Sequence, residues 1–217
     1  MEHFSCRFKS VEEPKSNLAV AEFVCFTPLR QPPSARERLL DAAARRFYED
    51  GVHATGIDTI TSEAGVAKKS LYNNFSSKAE LVSAYIDARH EEWLDLHRER
   101  SAKASTITDR VVAVFDAYID HANDAYGKGF RGCGLLNTAA EFPAGHPARS
   151  SVRAHKEQVE KILAEDLESM TSEAEALELA EHFSFILEGA VARAGLEGTP
   201  ERLEHARAIA LRMLAAL

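Results

Sequence analysis

Five polar side chains fall within six residues of this sequence: Lys68, Lys69, Ser70, Tyr72 and Asn73. Two cations, a hydroxyl, a phenol and an amide make no nucleophile with an adjacent base. They are the groups that meet phosphate oxygens and base edges of a duplex. Lys68 and Lys69 alone would read as an ordinary solvated face. Leu71 and Phe75 change that, because they recur at helical spacing between the polar groups. A short helix over 68–74, anchored from beneath by these two residues, turns the polar five outward together.

The elements around this helix must hold it at an exposed corner. Ser34 can cap a first helix that carries Leu39, Leu40, Ala43 and Phe47 on one stripe and stops at Gly51. Thr55 can cap a second short helix with Ile57 and Ile60 inward, ending at Ala64-Gly65. Gly65 supplies the positive φ of a tight turn, and Val66 plugs the gap behind it. Ser76-Ser77 caps a long fourth segment from Lys78 to about Arg100, with Leu81, Val82, Tyr85, Ile86 and Trp93 among its apolar positions. Three short, closely joined helices ahead of a long one suggest a helix-turn-helix unit, whose last helix enters the major groove.

The stretch 35–81 resembles the DNA-binding domain of the TetR family of transcriptional regulators. The matching residues are Ala43, Phe47, Gly51, Thr55, Ile60, Ala64-Gly65-Val66, Ser70-Leu71-Tyr72, Phe75, Ser77-Lys78 and Leu81, with no gap in their spacing. Lys69 and the Asn73-Asn74 pair depart from the usual pattern, which bears on base preference and not on fold. The resemblance implies phosphate contacts from Thr55, Tyr72 and Lys78. It implies that Lys68, Lys69 and Ser70 face the bases, with Asn73 meeting either.

It also implies a division of labour: residues 34–80 as a helix-turn-helix domain, and residues 81–217 as an effector-binding and dimerisation domain. The function that follows is a ligand-responsive repressor that releases a pseudo-palindromic operator on binding a small molecule. The alternative is a DNA-binding activator or architectural factor without small-molecule control.

The rest of the chain reads as helix. Residues 107–126 are apolar on more than one face, as expected of a helix at the centre of a bundle. A short segment over 135–142 follows a glycine-rich link and is broken by Pro143, Gly145 and Pro147. Val152, His155, Val159, Ile162, Leu163 and Leu167 mark another helix. Residues 174–194 and 200–216 supply two more, separated by Gly195, Gly198 and Pro200. No run alternates for long enough to be a strand, so the expected fold is all-α with about nine helices. Apolar stripes on the last two helices, from Phe183 to Ala194 and from Leu203 to Leu217, exceed what a two-helix end piece easily buries. A homodimer through these helices is therefore expected.

Candidate pocket residues are Phe115, Tyr118 and His121 on the fifth helix, and Asn137, Glu141 and Phe142 after the glycine-rich link. His155 reads first as a satisfied core histidine and second as a pocket residue. Phe185 is a further candidate. No cofactor, metal or catalytic set is expected, and the chain reads as no enzyme. Residues 127–132 spell GxGxxG, but they follow a helix and not a strand, so they read as a connection. His90 and His97 share a helical face and read as a solvated pair; Cys133 reads as an inert buried thiol.

Composition sets the outer bounds. The net charge of −8 looks wrong for a nucleic-acid binder, but it is unevenly placed. Residues 1–33 carry 4 basic and 4 acidic side chains, residues 34–80 carry 7 and 7, and residues 81–217 carry 15 and 23. A neutral N-terminal module can still gather cations on one face. Three cysteines without CxxC spacing fit a reducing cytoplasm, and no apolar run is long enough for a membrane helix. Residues 1–33, rich in proline and scattered phenylalanine, read as a loose tail.

Overall fold

The computed structural model describes residues 32–123 and 129–217. The loose-tail reading of residues 1–33 and the end of the expected 107–126 helix therefore lie largely or partly outside the described residues. What is described is the compact unit Pro33–Leu217. Among the described residues there are nine helices and no strand: α1 (Ala35–Asp50), α2 (Ile57–Glu63), α3 (Lys68–Asn74), α4 (Lys78–Ser101), α5 (Ile107–Asn123), α6 (Gly134–Ala140), α7 (Pro147–Leu167), α8 (Glu173–Glu197) and α9 (Glu201–Leu214).

Capping chemistry explains several boundaries. Ser34 and Glu37 form a reciprocal capping box at α1, and Ser172 and Glu175 do the same at α8. The Ser77 hydroxyl accepts the Glu80 N–H at the start of α4. Thr55 departs from expectation. The residue capping α2 is Gly56, and the Thr55 hydroxyl instead donates to the Gly51 carbonyl at 2.7 Å, tying the end of α1 to the approach of α2. The α2–α3 turn is closed by Val66 N–H on the Thr61 carbonyl, with Gly65 at φ +62°.

Two cores share the unit. One joins α1–α3 to the first half of α4, and Leu39, Leu71, Phe75, Leu81 and Tyr85 are fully buried in it. Each fully buried leucine contributes about 1.5–3 kcal/mol of apolar transfer. Leu135 and Ala139 of α6, with Ala148 and Val152 of α7, belong to this same core. The three-helix head therefore rests on the second half of the chain and does not fold around itself alone. The other core centres on α5, which packs against α4, α7 and α9, while α8 packs against α7 and α9.

The last two helices use their apolar stripes differently from the expectation. Phe183, Leu187, Val191 and Ala194 of α8 and Leu203, Ala206, Ala210 and Leu214 of α9 are all buried within the chain itself. Burial of these eight residues needs no second copy. Left outside are Phe185 of the same α8 stripe, 63% exposed, Leu196 beyond it, 85% exposed, and Leu217 at the end of the other stripe, with Gly189 and Ala192 between the first two also exposed.

Gly195 is the second departure. It does not end α8, which runs on through it to Glu197. A Cβ there would stand 2.6 Å from Gly132 Cα and collide with the backbone at Arg131. The residue lets the 131–132 segment lie directly against α8.

Candidate nucleic-acid interface and neighbouring cavity

Leu71 and Phe75 are buried, as the helical spacing predicts, and they fix which side of α3 faces out. Lys68, Lys69, Tyr72 and Asn73 are exposed, and Ser70 is half-buried. Tyr72 is 51% exposed, a large apolar ring presented to solvent with its hydroxyl. The face carries no acid–base pair for catalysis; it offers hydrogen-bond donors and charge. Lys68 is not a bare cation, since its ammonium pairs with Asp58 of α2 at 2.8 Å, which holds its pKa above the ordinary lysine value.

Neighbouring groups brace the helix. Arg36 of α1 donates to the Asn74 carbonyl at 2.9 Å and lies over the Phe75 ring. The Asn74 amide donates to the Ser70 carbonyl. Glu63 at the end of α2 is clamped by Arg45 and Arg46 of α1. Burial works against its carboxylate, and the two guanidiniums outweigh that, holding its pKa below the usual value.

Two residues assigned to phosphate contact are engaged inside the fold. Thr55 is buried, with its hydroxyl given to Gly51. The Lys78 ammonium donates to the Val52 carbonyl at 2.6 Å and so braces the α1–α2 turn, leaving its remaining N–H bonds for other partners.

The pocket candidates separate into groups. Tyr118, His121 and His155 line one cavity of roughly 90 Å³ in the helical bundle. Phe115 is core, packed edge-on against Phe183. Asn137 is exposed, donating to the Arg131 carbonyl, and Phe185 faces out from α8. Glu141 lies at the far side of α6, where its two oxygens accept the N–H groups of Val52 and His53 at 2.7 Å each. Burial disfavours that carboxylate, but these donors and the His53 ring prevail and lower its pKa. Phe142 stacks on His146 at 4.2 Å beside this turn and lines a separate hollow of roughly 300 Å³ with Val52, His53, Lys78 and Val82.

The cavity has walls that the spacing of apolar residues did not reveal: Tyr48 of α1, Arg89, Glu92 and Trp93 of α4, then Phe130 and Cys133. Cys133, half-buried, is a wall residue and the cap of α6. A visible signal was the Arg89/Glu92 pair one turn apart on an otherwise apolar side of α4; the two pair at 2.5 Å. Tyr48 is knotted to the opposite wall. Its hydroxyl accepts the Arg131 N–H at 2.6 Å and donates to the Gly132 carbonyl at 3.2 Å, while the Arg131 guanidinium returns to the carbonyls of Tyr48 and Glu49.

Behind the cavity, Lys156 donates to the Tyr118 hydroxyl at 3.1 Å and pairs with Glu188 at 2.7 Å. Burial opposes its charge, but Cys133, Tyr118 and Glu188 keep the proton on, well above the usual lysine value. Burial pushes the Tyr118 phenol up to about 12. His155 meets His90 at 2.8 Å between ring nitrogens, and burial, with Lys156, His90 and His121, pushes its pKa down to about 3. The imidazole is thus neutral; His155 is buried, and its ring also borders the cavity. His97 stacks on Trp93, so His90 and His97 each have partners of their own.

Residues 39–85 match the sequence profile described as bacterial regulatory proteins, tetR family, and residues 108–210 match that of the tetracyclin repressor-like C-terminal domain. The HTH-type transcriptional activator FasR of Mycolicibacterium smegmatis is 40% identical over 97 residues, 42% of this chain and 43% of that protein. The HTH-type transcriptional repressor KstR2 of the same organism is 32% identical over 98 residues, 42% and 46% of the two chains. The chain thus aligns with less than half the length of each of these relatives. Over the whole fold, the crystal structure of SCO4454, a TetR-family transcriptional regulator from Streptomyces coelicolor, superposes with a TM-score of 0.73 at 32% identity. That match covers 83% of this chain and 95% of the other.

Proposed function

This chain belongs to the TetR family of bacterial regulatory proteins, and from that premise we propose that it is a ligand-responsive repressor. Residues 34–80 form its DNA-reading domain and residues 81–217 its effector and dimerisation domain. Two copies pair through α8 and α9, and their two α3 helices read the half-sites of a pseudo-palindromic operator about 34–36 Å apart. In each copy Lys69, Ser70 and Asn73 reach base edges, while Tyr72 and Lys78 hold phosphate. Lys68 joins them when its pairing with Asp58 gives way to DNA. Thr55 acts by fixing the α1–α2 turn that presents α3.

The observation that carries this reading is the double membership of Tyr48. It is the end of the first helix of the reading head and also a wall of the cavity. A molecule seated in the cavity presses on the head directly. It shifts the dimer away from the operator-binding arrangement only if it binds the shifted arrangement more tightly.

The test is selection of an operator from random duplexes with the purified full-length protein, followed by fluorescence anisotropy with and without added compounds. Specific, salt-sensitive binding that is relieved by a cavity ligand supports a repressor. The relatedness to the activator FasR favours a second reading, a ligand-responsive activator; ligand that strengthens operator binding would select it. Absence of any preferred sequence would remove both.

A further inference from the structure

We propose that the cavity beside Tyr48 takes a compact, uncharged aromatic molecule with one hydrogen-bond acceptor, of the aryl ketone or aryl aldehyde class, and widens to admit it. The inference rests on the effector reading given above and adds the chemistry of the ligand.

Shape comes first. Trp93, Tyr118 and His155 meet at one corner of the cavity, with ring centroids 5.5 Å apart for Trp93–Tyr118 and 5.6 Å for Trp93–His155. Tyr48 and Phe130 complete the apolar surround. Flat faces and ring edges of this kind favour a flat partner.

Charge comes second. The fixed charges in the wall, Arg89 and Glu92, face each other at 2.5 Å. Lys156 behind Tyr118 is likewise matched by Glu188. A ligand that brought a net charge would lose its hydration and would meet wall charges already neutralised by each other.

The acceptor comes third. Trp93 is buried, and its indole N–H has no hydrogen-bond partner among the described residues. A buried donor left unmade is costly, and a ligand oxygen that reaches it as the walls part relieves that cost where a hydrocarbon cannot.

Size gives the mechanism. The cavity holds roughly 90 Å³, below the ~150 Å³ of a cavity that admits benzene. A six-membered ring enters only as walls from α1, α4 and α6 move apart. The ligand is therefore selective for a widened state by construction.

Trp93 is the chain's only tryptophan, so its emission reports the site. The full-length protein is titrated with acetophenone, toluene, benzoate and benzylammonium, read by tryptophan emission and by calorimetry. Acetophenone should bind about tenfold more tightly than toluene, the worth of one buried hydrogen bond, and both charged probes should bind more weakly still. In Trp93→Phe, calorimetry should show the acetophenone-to-toluene ratio fall to about two or less. A charged probe that binds as tightly as acetophenone, an unchanged ratio in Trp93→Phe, or no binding by any probe overturns the proposal. Operator binding by the unliganded protein is measured alongside: if it persists when the probes fail, only the ligand class is lost, and if it is absent the repressor reading falls.

Discussion

The Glu141 carboxylate, one residue beyond α6, accepts the backbone N–H of His53 at 2.7 Å. With the Val52 N–H on its other oxygen, it caps the turn between α1 and α2 from across the fold. Gly51 lies so close that a Cβ there would meet a Glu141 oxygen at 2.9 Å. The turn between the first two helices is held by a side chain from the helical bundle that follows α4.

Glu141→Gln should therefore cost about 1–2 kcal/mol of stability, because an amide offers one oxygen where two donors need acceptors. It should also lower operator affinity without touching α3. The native carboxylate has a lowered pKa, so its contribution is complete above the ordinary glutamate value and is lost as pH falls through the native one. Urea denaturation at pH 7 and pH 4 checks both statements: the variant's deficit should shrink at the lower pH.

Lys69 and Lys78 should separate cleanly. Lys69 is exposed on α3, so Lys69→Ala should relax base preference with no change in melting temperature. Lys78 also braces the Val52 carbonyl. Lys78→Ala should weaken all duplexes alike, flatten the salt dependence, and lower stability by about 1 kcal/mol. Anisotropy over a salt series, paired with thermal melts, distinguishes the two.

The exposed ridge of α8 predicts how copies pair. Phe185, Gly189, Ala192 and Leu196 recur at spacings of four, three and four along one face. Phe185→Glu and Leu196→Glu should each give monomers by light scattering while keeping the helical circular dichroism. Dimers that survive both changes would place the contact elsewhere.

Acid should loosen the cavity. His155 is pushed down to about 3 from an ordinary 6.5. A histidine with a depressed native pKa lends stability that is complete above 6.5 and drains away as pH falls toward the native value. The loss is about 1.4 kcal/mol per pH unit, or about 2 kcal/mol by pH 5. His155→Gln should flatten that part of the pH profile in denaturation experiments between pH 7 and pH 5.

Gly195→Ala should cost about 1–3 kcal/mol, although alanine is the better helix former. The added methyl would be driven into the Gly132 backbone. Because Gly132 and Arg131 hold Tyr48, the same change should also alter the tryptophan emission of the cavity.

The reading head was legible because its rules are local. Capping serines, the glycine turn and the Leu71/Phe75 spacing act within a few residues, and α3 falls where they place it. Thr55 was the exception, since its hydroxyl answers to a carbonyl four residues back and not to the helix after it. The cavity was legible only on α5 and α7, where Tyr118, His121 and His155 stand on periodic faces. Tyr48 and Trp93 also sit on apolar stripes, and nothing in a stripe tells a core ring from a cavity wall. Gly195 misled for a related reason: a glycine that ends a helix and one that admits a neighbour look alike until the neighbour is placed.

The wall supplied by Tyr48 has a consequence for anyone who would rewire this regulator. Grafting a foreign helix-turn-helix head onto the rest of this chain would exchange more than the DNA address, since the graft would carry away one side of the chamber. Such a chimera would need its own tyrosine at the end of the first helix to keep that chamber closed.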